Sequence, residues 1–304
     1  MRAWAAVILA GLVMMSCGEK KQQFKNLEHG TASYWRDVKF VPDTTDPKGE
    51  RGRWTGWFRQ ANVDAAKLGE GIIRARIEGT WQDIKVVELP PEFVKWNFDS
   101  RLEQLAMFSE MFKGGEMREP KLSGPHDGIV ASHGVKRGDS YFSVNNAVKG
   151  VGWLPRRERL ADAIELLKRT WNDPMPAKLA ILQSFYEQGA SFFDLTKQTS
   201  LELYAGPNFE THTFLNQMED PGVAMVFLDL PESYELRCVA QMLHPGDPNL
   251  TDYEKQAVEY INLVHDYFHG QMPWQSTGVL YHVVQVFDNS PPKGRGQRVV
   301  PALP

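Results

Sequence analysis

The stretch from Gly278 to Phe287 narrows the possible folds more than any other. Successive side chains on a strand point to opposite faces. Here one face carries Leu280, His282, Val284 and Val286, and the other carries Tyr281, Val283 and Phe287. Both faces are mostly apolar, so this strand has to sit inside a sheet with cover on both sides. A helix precedes it: Thr251 and Glu254 form a capping box at its start, and Gly270 ends it after His269. Before that helix come two strands, Gly222–Leu230 and Tyr234–Leu243, joined only by Pro231, Glu232 and Ser233. So short a link permits antiparallel pairing alone. The last third predicts an antiparallel sheet with a helix laid against it.

Further upstream the pattern is helical, then mixed. Arg157–Trp171 sets Leu160, Ala163, Ile164 and Leu167 on one stripe, and Pro176–Gln188 has Pro at its start and Gly189 at its end. The short polar link between them predicts an antiparallel helix pair. Leu201–Ala205 is a predicted strand, and Thr211–Met218 a short helix. In the first half, Ile72–Glu78 and Asp83–Leu89 predict a hairpin that turns at 79–82. Ser100–Phe112 predicts a helix capped by Asp99 or Ser100, and Gly128–Ser132 and Ser140–Val144 predict strands. The fold class is α+β, antiparallel sheet(s) with helices packed on one face. Residues 34–150 form an N-terminal part and 151–289 a C-terminal part, either separate or one continuous domain. The tail 290–304 is polar and expected to be loose.

Met1 to Cys17 has a different character. Arg2 gives a positive start, and Ala3–Met15 is an almost unbroken apolar run. Spanning a bilayer takes about 20 apolar residues, so the run is a secretory signal and residues 1–16 are removed. Met14, Met15, Ser16 and Cys17 resemble the lipobox of bacterial lipoproteins. That resemblance implies lipidation of Cys17 as the first mature residue, with 17–33 as a polar tether. Two or more acyl chains hold a protein stably on a membrane. In that family an Asp after the Cys retains the protein at the inner membrane; Gly18 stands here, so the outer membrane is the expected destination.

Only one other cysteine exists, Cys238. If Cys17 is acylated, no intrachain disulfide can form and the core must hold the fold. Strand alternation puts Cys238 with Tyr234, Leu236 and Ala240, as a small buried hydrophobe. The formal charge is -4, and loss of Arg2 with the signal makes it -5. That balance argues against a nucleic-acid partner. Nine Trp residues are read mainly as core, with a ligand site as the other use of such rings.

Chemistry-bearing patterns are few. His265 and His269 stand four apart on one helix face, the way a helix presents two imidazoles to one metal. The pattern resembles the zinc proteases, with Asp266 where that family has Glu, which places a general base differently. A zinc site needs a third ligand, and His282, with His244 and His212 as others, is the candidate. The opposing reading makes His269 a cation that favours the helix dipole. Arg156, Arg157 and Arg159 stand at a helix start, where an anion can bind. Residues 200–243 resemble flavin-binding split barrels in their order of strand, polar turn, short helix and two strands. In that family a basic residue in the short helix meets the cofactor phosphate; here Thr211, His212 and Thr213 occupy it.

The expectation is a membrane-anchored extracytoplasmic lipoprotein, meeting membrane lipid through Cys17 and acting as a ligand- or partner-binding module without a cofactor. The alternative is a cofactor- or metal-dependent enzyme or redox protein, with flavin on the split-barrel segment, or zinc or haem on His265 and His269.

Overall fold

The computed structural model describes residues 36–42, 52–114, 124–134, 136, 140–206, 211–293 and 296–302. Contacts divide the chain into two units, Met1–Gly30 and Thr31–Pro304. The expected signal, Cys17 and the tether lie outside the described residues. Among the described residues no helix is long and apolar enough to cross a membrane.

Six strands build the body: β6 (Asp127–His133), β7 (Val144–Gly150), β8 (Lys197–Glu202), β9 (Gly222–Asp229), β10 (Glu232–Leu243) and β11 (Thr277–Asp288). They pair antiparallel in the order β8, β11, β10, β9, β6, β7. The chain just past β7 then returns to β8. Gly152 N–H donates to the Thr199 carbonyl at 2.9 Å, and Thr199 N–H donates to Gly152 at 2.8 Å. Ser200 Oγ adds a bond to the Gly150 carbonyl. The expected sheet thus closes on itself as a barrel. Closure removes the unpaired edges that an open sheet exposes. It also joins β6 and β7 from the first half to strands of the second, so the body is not cut at residue 150.

Register fixes what points inward. Val130, Met225, Leu236, Cys238, Tyr281 and Val283 share the lumen side and are buried. β11 is central, as its two apolar faces require. Its outer edge meets β8 over its first half and β12 (Gln297–Val300) near its end. The tail after Ser290 is therefore not loose throughout.

Five helices cover the barrel: α1 (Pro91–Phe112), α2 (Arg157–Arg169), α3 (Met175–Gln188), α4 (His212–Glu219) and α5 (Asp252–His269). α5 carries the expected capping box at Thr251 and Glu254. It lies so close to β11 that a Cβ on Gly278 would meet Val258 Cγ2 at 3.1 Å. The expected α2–α3 pair does not form the main packing; α1 packs on α3 and α2 on α5. A short sheet, β3 (Val63–Asp64), β4 (Ile72–Ile77) and β5 (Thr80–Lys85), packs Ile73 and Ala75 against Val239 outside the barrel. A further hairpin joins β1 (Arg36–Pro42) to β2 (Gly52–Trp57).

Candidate functional site

α5 sets Glu259, Asn262 and Asp266 three and four residues apart, on one face. That face looks onto α2, the chain after it, and the loops at 244–246 and 270–275. Together they enclose a cleft of about 810 Å³, within the roughly 300–1,000 Å³ of small-molecule sites.

The 270–275 loop is pinned at both ends. Asp266 Oδ2 accepts from Met272 N–H at 3.2 Å. Buried Asn262 accepts from Ser276 N–H at 2.7 Å and donates to the Ser276 and Val258 carbonyls, each at 2.9 Å. Gly270 takes φ +91°, open to glycine and strained for other residues. A pinned loop is preorganised, which lowers the entropy lost on binding.

The charges lining the cleft are already engaged. Lys168 Nζ meets Glu259 at 2.8 Å and Glu165 at 3.5 Å. Asp266 Oδ1 lies 3.0 Å from His265 Nδ1. His244 is buried, and burial pushes its pKa down to about 4. Its Nδ1 accepts from Gly246 N–H at 3.0 Å, so its proton sits on Nε2. Behind this loop Asp247 holds Arg59 through two bonds of 3.1 and 3.2 Å. Burial opposes the Asp247 charge, but Arg59 and Asn249 hold its pKa below the ordinary range.

Other lining groups are uncommitted. Asn172, Gln271 and Gln275 are exposed, and their amides have no partner among the described residues. Trp274 is half-buried and packs on no other aromatic ring among the described residues. Trp171 carries the Lys178 ammonium 4.9 Å from its ring centre while also lining the cleft.

The three predicted metal ligands fall into two places. His265 and His269 lie side by side, ring centres 4.8 Å apart. His282 is not with them: it is fully buried on the outer face of β11, with Nε2 2.9 Å from Gln241 Oε1. Burial pushes His282 down to about 3. The pair acts in turn on His126: burial first, then Arg101, His269 and His265, push its pKa down to about 3, against a bond to the Val151 carbonyl. No three His, Cys, Asp or Glu side chains among the described residues converge closely enough to hold a metal. His269 does not follow the helix-dipole expectation either. Desolvation first, then His265 and Arg101, push it down to about 4.

The three arginines do not converge. Arg156 Nε donates to the Ala190 carbonyl, Arg157 lies 4.8 Å from the Tyr253 ring, and Arg159 is exposed. On α4, Thr211 caps its own helix by accepting from Phe214 N–H, and Thr213 accepts from Asn145. The hydroxyls where a flavin phosphate was expected are thus used within the protein.

Sequence reading missed the cleft and the lumen. Inside the barrel Lys149 pairs with Glu202 at 2.7 Å, and Glu202 also accepts from Gln217 of α4 at 2.9 Å. These residues are far apart in the chain, and only the barrel register brings them together. The cleft had one legible signal, the two tryptophans that flank α5 and α2, set among many others.

No protein-family model and no curated protein matches the chain. Among solved structures it is similar to HupZ of group A Streptococcus, at 13% identity over 54% of this chain and 86% of that one, with a TM-score of 0.29. A likeness that weak supports no conclusion about fold or function.

Proposed function

We propose that this is a lipid-anchored module of the bacterial envelope whose body binds a small ligand in the cleft beside α5. The observation that carries the binding half is a preformed cleft lined by the Trp274 ring, by part of Trp171 and by free amides, with its charged side chains already bonded to neighbours. Binding sites combine apolar area with a few placed polar groups in this way. The Lys168, Glu259 and Asp266 side chains are each bonded to a neighbour. The anchoring half rests on the run ending at Cys17 and on its resemblance to a lipobox.

A thermal-unfolding screen of the full chain, purified from membranes against soluble metabolites, tests the binding half. At a ligand concentration a hundredfold above Kd, stabilisation reaches about 2.7 kcal/mol. The expected result is a ligand that raises Tm in the native chain and not in Trp274→Ala. Stabilisation equal in both chains would contradict the reading.

The close pair His265 and His269 favours a second reading, a metal- or haem-dependent redox protein. Its test is metal analysis and an absorption spectrum of the same preparation. Stoichiometric metal, or a haem band lost in His265→Ala, would move the conclusion to it.

A further inference from the structure

We infer that the ligand of the cleft is a neutral carbohydrate chain, an inference that rests on the ligand-binding reading above. Charge narrows the class first. The charged lining residues are Lys168, Glu259 and Asp266; the first two neutralise each other, and Asp266 is held by His265 and Met272. His244 is neutral near pH 7, since burial holds its pKa near 4. An anionic ligand would find no free cation, since Lys168 already meets both Glu259 and Glu165, and would lose hydration without return. A cationic one would meet only Asp266, whose two oxygens are already bonded to His265 and to Met272 N–H.

The free groups narrow it further. Side-chain amides both donate and accept hydrogen bonds, as a hydroxyl also does, so Asn172, Gln271 and Gln275 suit a ligand edged with hydroxyls. Trp274 offers flat apolar surface, and Trp171 adds the part of its ring that Lys178 and Tyr267 leave open. A pyranose ring has an apolar C–H face and a hydroxyl perimeter, and it satisfies both sets of groups at once. A purely apolar ligand would leave the amides unpaired. A peptide that binds by adding a strand would need an open strand edge, and the cleft walls are helices and loops.

Titration calorimetry on the full detergent-solubilised chain tests this, with the trimers of N-acetylglucosamine, glucose (β- and α-linked) and galactose as probes. A proline-rich peptide, a nucleotide and a fatty acid serve as contrasting probes. Saturable binding of at least one trimer is expected, weakened about tenfold, or 1.4 kcal/mol, in Trp274→Ala and again in Gln275→Ala. Circular dichroism and Tm check that both variants fold. Binding of a contrasting probe but no trimer, with loss in Trp274→Ala, overturns the carbohydrate assignment and leaves the cleft as a binding site. A trimer that binds equally well to both variants overturns the cleft itself. No binding of any probe also overturns the carbohydrate inference.

Discussion

At the scale of single residues, Asn262 controls the cleft although no sequence pattern marks it. It sits on α5, four residues after Val258, and clasps both backbone groups of Ser276. Replacing it with Ala leaves those buried groups unpaired, and each such loss costs about 1–3 kcal/mol. A lowered urea midpoint in Asn262→Ala, with wild-type far-ultraviolet circular dichroism at low urea, is expected; an unchanged midpoint would show that the loop does not depend on this bond. Other single residues were legible. Cys238 is buried in the barrel, where burial raises its thiol pKa, in keeping with its place on an apolar alternation. The histidines were not, because four-residue spacing shows which rings share a helix face and says nothing of which strand or loop supplies a third. The imidazole that feels the charge of both rings is His126, which stands beside Asp127 in a segment whose sequence indicates only a turn.

At the scale of elements, strong periodicity located the helices and apolar strands well. α5 begins and ends where its capping box and Gly270 place it, and β9 to β11 fall within a few residues of expectation. Elements with polar inner faces were misplaced. β8, Lys197–Glu202, is Lys-Gln-Thr-Ser-Leu-Glu, yet it is buried along its whole length because its polar side chains face the barrel lumen or α5. β7 starts at Val144, where the predicted strand stops, and α1 starts at Pro91, well before the predicted Ser100. The β4–β5 turn lies at Glu78 and Gly79, both with positive φ, ahead of the expected one. The α4 helix is tied to the lumen pair by the Gln217 bond to Glu202. Removing one partner of a buried ion pair costs about 3–5 kcal/mol. Glu202→Ala is accordingly expected to lose that much stability, and the double change Lys149→Met with Glu202→Leu less than the two single changes together. Additive losses in chemical denaturation would show that the pair does not act as a unit.

At the scale of the whole molecule, the body is a closed barrel with helices packed outside it, and buried histidines tie its stability to pH. His244 and His282 stay neutral in the fold down to about pH 4 and 3. The unfolded chain takes up their protons near 6.5, so their part of the stability is whole above that value and falls as pH drops through the window below it. Each contributes a slope of about 1.4 kcal/mol per pH unit. His269, whose ring is desolvated although the residue as a whole stays exposed at the end of α5, adds less, since water still reaches and screens it. Denaturation midpoints should decline from pH 7 to pH 5, and less steeply in His282→Gln; equal midpoints at both values would contradict this account. Barrel closure itself was not legible, because the bond pair between Gly152 and Thr199 joins two segments that carry no shared pattern.

In the proposed reading, the anchor at Cys17 would give the molecule its place and display the cleft on a body tethered to the membrane. Mass spectrometry of the N-terminal peptide, from protein extracted out of the bacterial envelope, tests that most directly. The expected peptide begins at Cys17 and carries a diacylglyceryl group with an amide-linked chain. A mature chain that starts elsewhere, or an unmodified Cys17, would contradict it.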